Sequence, residues 1–341
     1  MPALAQIDKA PNTTNSYGYT PPSKSLINPD EKLANIEAAI RAYKAGDFFQ
    51  ASSLATTAYN AGSMDGAVLL GHISRKGELG SVDYALARQW YEKAAALSHT
   101  DALMALSEMG LNEQGGLTKT DGAGYLSRLA DRGNVEAMRT LSQLYAQGEG
   151  VPKDDDRSRE YLTRAAGNFD VEANKQLGDS YFKTDPKKAL SYYELAAASG
   201  SIEAAYIAGV MYAENFNIRP DSKRSAELLR QAASGGHAAA QADYGLLVYQ
   251  GYGTEQSNEE AANWFRKSSE GGDGEGQFLY AFTLSKGEGV EQDYEEAYYW
   301  LLQSTDNGVD DYDSDRKELK KRLEANVDPA ILARARARSG Q

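Results

Sequence analysis

The stretch AMRTLSQLYAQGEGVPKDDDRSREYLTRAA, residues 137–166, recurs along the chain, and this recurrence limits the possible folds more than any other feature. Copies begin at residues 67, 102, 137, 173, 204, 240 and 276, the one at 102 being degenerate. Successive starts lie 35, 35, 36, 31, 36 and 36 residues apart, and the short interval falls where KTDPKK replaces a glycine loop. Length variation confined to one loop is what two helices with a variable connection give. The first half of each copy places apolar or small residues at i, i+4 and about i+8. The second half repeats an alanine followed by two bulky residues, as in Ala87/Trp90/Tyr91, Ala189/Tyr192/Tyr193, Ala261/Trp264/Phe265 and Ala297/Trp300/Leu301. One such hairpin cannot bury its apolar face alone, so neighbours must stack. The expected fold class is all-α, a right-handed superhelical solenoid of stacked α/α hairpins.

Glycines recur with the period and need a reason. Gly71, Gly178, Gly209 and Gly245 fall inside the first helix, where each costs about 1 kcal/mol relative to alanine. Close approach of two helix backbones is the expected cause. Glycine pairs at 148/150, 251/253 and 287/289 resemble a phosphate cradle. Such a cradle, however, opens a helix after a β-strand, and these pairs follow a helix. They are expected to end it in a left-handed turn.

The full pattern A-x-x-x-L-G-x-x-Y-x-x-G-x-G-V-x-x-D, then A-x-x-W-Y-x-x-A-A-x-x-G, resembles the SEL-one-like repeat (SLR), a relative of the tetratricopeptide repeat. Residues 137–167 and 276–305 match it best. The resemblance implies seven such repeats over 64–308. Residues 31–63 look like an ordinary tetratricopeptide hairpin turning at Gly46-Asp47-Phe48, and 309–341 read as capping helices. Residues 1–30 read as a disordered leader. Ala3, Leu4 and Ala5 within it resemble the end of an export signal, with coincidence in an Ala-rich chain as the alternative. The resemblance implies a non-catalytic adaptor binding a protein or peptide partner, in a bacterial envelope or signalling complex. A periplasmic or secreted location is therefore expected, with the cytoplasm as alternative. A cysteine-rich branch of the family is linked to penicillin binding; this chain has no Cys, so that activity is not carried over.

Charge and residue types narrow the chemistry. A net charge of −13 opposes a nucleic-acid partner. No apolar run approaches the length of a membrane helix. His72, His99 and His237 stand too far apart to converge on a metal, and no nucleophile motif occurs. Asp311, Asp313 and Asp315 open like a calcium loop, but Arg316 and Arg322 occupy positions that require Gly and Glu. Catalytic residues, cofactor and metal are therefore all expected to be none. The 22 tyrosines suit half-buried surfaces that keep a hydroxyl at water.

What remains is the face lined by the first helices. Positions expected to face the groove are polar in the repeats starting at 137 and 173: Glu136, Arg139, Gln143, Glu172, Lys175 and Asp179. In the last three repeats they turn apolar, as Tyr206, Val210, Leu246, Tyr249, Phe278 and Phe282. These six form the candidate partner-binding groove, unless their rings pack between helices as core. Two other classes stay open: a scaffold contacting a polysaccharide or cell-wall polymer, and a hydrolase embedded in the repeats.

Overall fold

A computed structural model describes residues 29–214, 216, 218–304 and 312–340. Residues 1–28 of the expected leader, with its Ala3–Ala5 motif, and Asp311 of the calcium-like stretch lie outside the described residues, while Pro29 and Asp30, given to that leader, open the first helix. Among the described residues eighteen α-helices and no strand occur, most of them paired with a sequence neighbour. The pairs are α1 (Pro29–Lys44) with α2 (Phe48–Asn60), α3 (Met64–Lys76) with α4 (Tyr84–Ala96), and α5 (Thr100–Leu111) with α6 (Lys119–Ala130). Next come α7 (Val135–Gln147) with α8 (Asp155–Gly167), α9 (Val171–Tyr181) with α10 (Pro186–Ala198), and α11 (Ile202–Ala213) with α12 (Ser222–Ser234). The last are α13 (Ala238–Gln250) with α14 (Asn258–Glu270) and α15 (Gly274–Lys286) with α16 (Tyr294–Gln303); α17 (Asp313–Asn326) and α18 (Pro329–Ser339) follow. The all-α, stacked-hairpin class read from the repeats is thus the class of the structure.

The chain divides between Tyr161 and Leu162 into two compact units. In the first, each helix from α1 to α7 packs on the next. In the second the same order runs from α9 to α16, α13 also touches α15, and both α17 and α18 pack on α16.

Local chemistry explains where the helices start and stop. Asp83, Asp185, Asp221 and Asp293 accept a hydrogen bond from the third backbone N–H of the second helix they precede, which satisfies a donor left unpaired at every helix start. Gly77, Gly148, Gly251 and Gly287 close first helices in the left-handed conformation at φ between 69° and 72°, where a Cβ is penalised. The second glycine of each pair has a different task. A Cβ on Gly150 would stand 2.7 Å from the Lys119 carbonyl oxygen, and one on Gly253 or Gly289 would collide with the backbone of Ser222 or Asn258. In each case the obstacle is the start of the second helix one pair earlier. The loop is thereby docked on its neighbour.

The glycines inside the first helices correct an expectation. Their near neighbour is a side chain of the second helix, not its backbone. A Cβ on Gly71 would lie 2.7 Å from the Tyr91 ring, on Gly178 2.6 Å from Tyr193, on Gly245 2.7 Å from Phe265 and on Gly209 2.7 Å from Leu229. Tyr91, Tyr193 and Phe265 are among the most buried large side chains, so the glycine makes room for a ring laid flat on the helix. Backbone-to-backbone contact is found elsewhere, where Gly110 of α5 meets Gly122 of α6.

Tyrosine use follows the expected division between ring and hydroxyl. Tyr43, Tyr193 and Tyr298 bury much of the ring and donate the hydroxyl to Glu78, Asp179 and Glu324 at 2.6, 2.7 and 2.6 Å. These are short charge-assisted bonds that tie one helix to another element.

Candidate functional site

Four of the six apolar positions come together. Leu246 and Tyr249 on α13, and Phe278 and Phe282 on α15, line one cavity of about 360 Å³ in the second unit. Helix α17 completes it with Tyr312, Asp315, Glu318, Leu319 and Arg322. The lining is aromatic and aliphatic, with carboxylates and one guanidinium at the rim. Tyr206 and Val210, both half-buried on α11, do not line it.

Each cavity residue is held by its own surroundings. Phe278 is 3% exposed, so its ring is core as much as lining. It is tilted against Phe282 at 6.4 Å and against Tyr312 at 5.2 Å between centroids. The Tyr249 hydroxyl donates to Glu288 at 2.5 Å, and this bond, with burial, pushes its pKa up to about 12. Lys286 lies 4.1 Å above the Phe282 ring and 3.4 Å from Glu288. Arg322 donates to the Ser285 hydroxyl at 3.1 Å, and buried Arg316 to the Gly274 carbonyl at 3.1 Å. The first of the two helices expected only to cap the stack, α17, therefore supplies one wall of the cavity, a role no repeat pattern marks.

Beside the cavity stands a group that the sequence reading passed over. Asp243 is the one charged residue of α13, AAAQADYGLLVYQ. Burial raises its carboxyl to about 7, helped by the nearby charges of Glu275, Asp273 and Glu214. Those carboxylates, with Asp243, also surround Tyr206, whose hydroxyl is pushed up to about 12, mainly by burial. The Tyr206 ring stacks on His237 at 4.2 Å between centroids. His237 caps α13 through Nδ1, which accepts from the Ala240 N–H, and its Nε2 lies 3.6 Å from Glu203 at the start of α11. His99 repeats only the second contact, its Nε2 lying 2.9 Å from Asp65 at the start of α3. Both histidines thus join the starts of successive first helices.

The first unit holds a larger cavity, of about 840 Å³, which the sequence did not announce. Ile36 and Ile40 of α1, Val68 and Leu69 of α3, and Met104 of α5 are among its lining. In its wall Arg75 bonds Glu108 at 2.6 Å and holds that carboxyl below its usual range. Desolvation lowers the pKa of His72 in the same wall. Much of this cavity comes from α5, whose copy of the repeat is degenerate. Both cavities are lined mainly by the first helix of each pair.

The repeat loops and ring-on-glycine packing decide the family. The Sel1 repeat model matches residues 65–99, 135–168, 175–201, 202–237, 238–273 and 274–309. This chain belongs to the Sel1 repeat family. The stretch from 100 to 134, where α5 and α6 meet glycine on glycine, falls outside those matches. Among relatives, the Sel1-repeat-containing protein YjcO of Escherichia coli K12 is 29% identical over 173 residues, covering 46% of this chain and 74% of YjcO. A crystal structure of a Sel1 repeat protein from Oxalobacter formigenes superposes with a TM-score of 0.52 at 25% identity, over 63% of this chain and 92% of that one. A protective antigen of uropathogenic Escherichia coli displaying an SLR fold gives a TM-score of 0.48 at 23% identity, over 90% and 75%. Sel1 repeats form scaffolds that generally mediate protein interaction, and no described helix here is long and apolar enough to cross a membrane.

Proposed function

We propose that this Sel1 repeat chain is a non-catalytic adaptor that binds a protein partner in the cavity between α13, α15 and α17. The observation that carries the reading is the meeting of Leu246, Tyr249, Phe278 and Phe282 in one open, largely apolar cavity. An apolar recess with a charged rim suits the anchoring side chains of a peptide or helix. A polysaccharide draws less support, because sugars stack on exposed ring faces, while these rings tilt against one another and are partly or fully buried. We also propose a place in an envelope or signalling complex, as membership of the family suggests, and fractionation of a tagged full chain in its native host tests it.

Affinity capture with wild type and a Tyr249→Ser/Phe282→Ser double variant tests the groove. The expected result is a partner retained by wild type and lost from a variant with unchanged helicity. Unfolding of the variant, with no specific loss of binding, assigns the rings to the core instead.

A further inference from the structure

The surroundings of the cavity specify the chemistry of its occupant. We infer that the occupant is a basic amphipathic segment of a partner protein, one cationic side chain seated on Asp243 and its apolar side chains between Leu246, Phe278 and Phe282. This rests on the groove reading above and adds the charge of the partner to it.

Asp243 is half-buried, yet among the described residues no hydrogen-bond donor or cation is set against its carboxylate. The charged groups facing it are all acidic: Glu214 at the end of α11, and Asp273 and Glu275 at the start of α15. Tyr206 of α11 completes the surroundings. A carboxylate withdrawn from water is costly unless a cation or donors compensate it. The described residues supply neither, so an incoming Lys or Arg gains more there than at a solvated surface acid. Burial accordingly holds Asp243 near the point of half-ionisation at neutral pH.

The register of the helices joins this seat to the cavity. Asp243 precedes Leu246 by three residues on α13, and Glu275 precedes Phe278 by three on α15. Residues three apart are neighbours on one helix face, about 5–6 Å between Cβ atoms. Two adjacent helices therefore present an acidic row and then an apolar row. The complementary ligand carries Lys or Arg one turn away from Leu, Ile or Phe. Cations near the cavity are engaged elsewhere, Lys286 with Glu288, Arg322 with Ser285 and Arg316 with the Gly274 carbonyl, so none of them is set against Asp243. The basic helix α18 is engaged too, Arg334 pairing with Glu295, Arg336 with Glu324 and Arg338 with Glu296. Among the described residues no cation is left to pair with Asp243, and a partner protein can supply it.

A random dodecapeptide display library, selected in parallel on the full chain, on Asp243→Asn and on Phe282→Ser, tests the inference. Thermal melts establish that each variant is folded, and Leu246→Ser replaces Phe282→Ser if the latter is not. Wild type is expected to enrich peptides with Lys or Arg three or four residues from Leu, Ile or Phe, and Asp243→Asn to lose that basic preference. A selected peptide, synthesised and titrated by fluorescence anisotropy, should bind wild type about tenfold tighter than Asp243→Asn at pH 8. Its affinity for wild type should fall about tenfold between pH 8 and pH 6, as Asp243 takes up a proton, and stay level for Asp243→Asn. Enrichment of neutral or acidic peptides that need Phe282 but ignore Asp243 overturns the cation seat and leaves the groove standing. Absence of any peptide that depends on the cavity residues overturns both. Dimerisation that Asp243→Asn abolishes would give the seat to a second copy and overturn a heterologous partner.

Discussion

Single residues in this chain are legible through what a small change would do to them. Asp243 is one. Its folded carboxyl is raised to about 7, whereas an unfolded aspartate titrates near pH 4. Between these values the folded chain holds a proton that the unfolded chain has lost, so stability falls as pH rises from 4 to 7 and stays low above. Asp243→Asn should therefore melt with wild type near pH 4 and above it at pH 8. Because the carboxylate keeps some contact with water, the gain is of order 1–2 kcal/mol rather than the full shift. Melting curves across that range check it, and equal curves at pH 8 would refute it. Glycines give a second contrast. Gly178→Ala drives a methyl into the Tyr193 ring and should cost about 1–3 kcal/mol. Gly124→Ala, within α6 and with nothing near its Cβ, should stabilise by about 0.5–1 kcal/mol. Chemical denaturation of the two variants distinguishes space that is filled from space that is free.

At the scale of the element, the GxG loop combines two functions in five residues. Gly287 ends α15 in the left-handed conformation, and Gly289 lets the loop lie on the start of α14. Gly287→Ala should cost about 1–2 kcal/mol, the price of a Cβ at positive φ. Gly289→Ala adds a collision with the Asn258 backbone and should cost more, with greater hydrogen exchange at the start of α14. If the two variants unfold at the same urea concentration, the docking of that loop is not what holds it. The caps work more simply. Removing the Asp185 carboxylate, which accepts from Lys188 N–H ahead of α10, should cost about 1 kcal/mol. Aromatic second-helix residues belong to this scale as well. Trp264 and Trp300 each donate the indole N–H to a glutamate one turn earlier, at 3.2 and 2.9 Å. The recurring bulky pair thus splits into an outer ring held by its own helix and an inner residue, Phe265 or Leu301, that is buried.

For the whole molecule, contacts within each unit run mostly between neighbours in sequence, so stability is close to a sum over pairs and their junctions. The three tryptophans allow that to be read. Trp90 reports the first unit, Trp264 and Trp300 the second. Phe265→Ala empties the place of a ring that is 1% exposed and should cost about 3–5 kcal/mol locally. Its urea midpoint should shift strongly in a Trp90→Phe background and less in one that keeps Trp90 alone. Equal shifts would mean a single cooperative transition. The acidity of the molecule has meaning at this scale too. A net charge of −13 steers basic partners by long-range attraction, and the acidic row at Asp243 and Glu275 is where that general attraction acquires a specific geometry.

The period of the sequence was enough to determine that this chain is all-helical and built from paired helices. Apolar spacing and glycine-ended turns are local consequences of backbone geometry, and they repeat. It also singled out Leu246, Tyr249, Phe278 and Phe282, because a change in character at equivalent positions shows in one dimension. Only the tertiary structure decided that these four share a cavity and that Tyr206 and Val210 do not. It also revealed α17 as a wall, a ring beneath Gly71, Gly178 and Gly245, and carboxylates around Asp243. Those facts depend on which side chains from separate helices meet. Burial and electrostatics act through space, and a repeat pattern records only what each pair has in common.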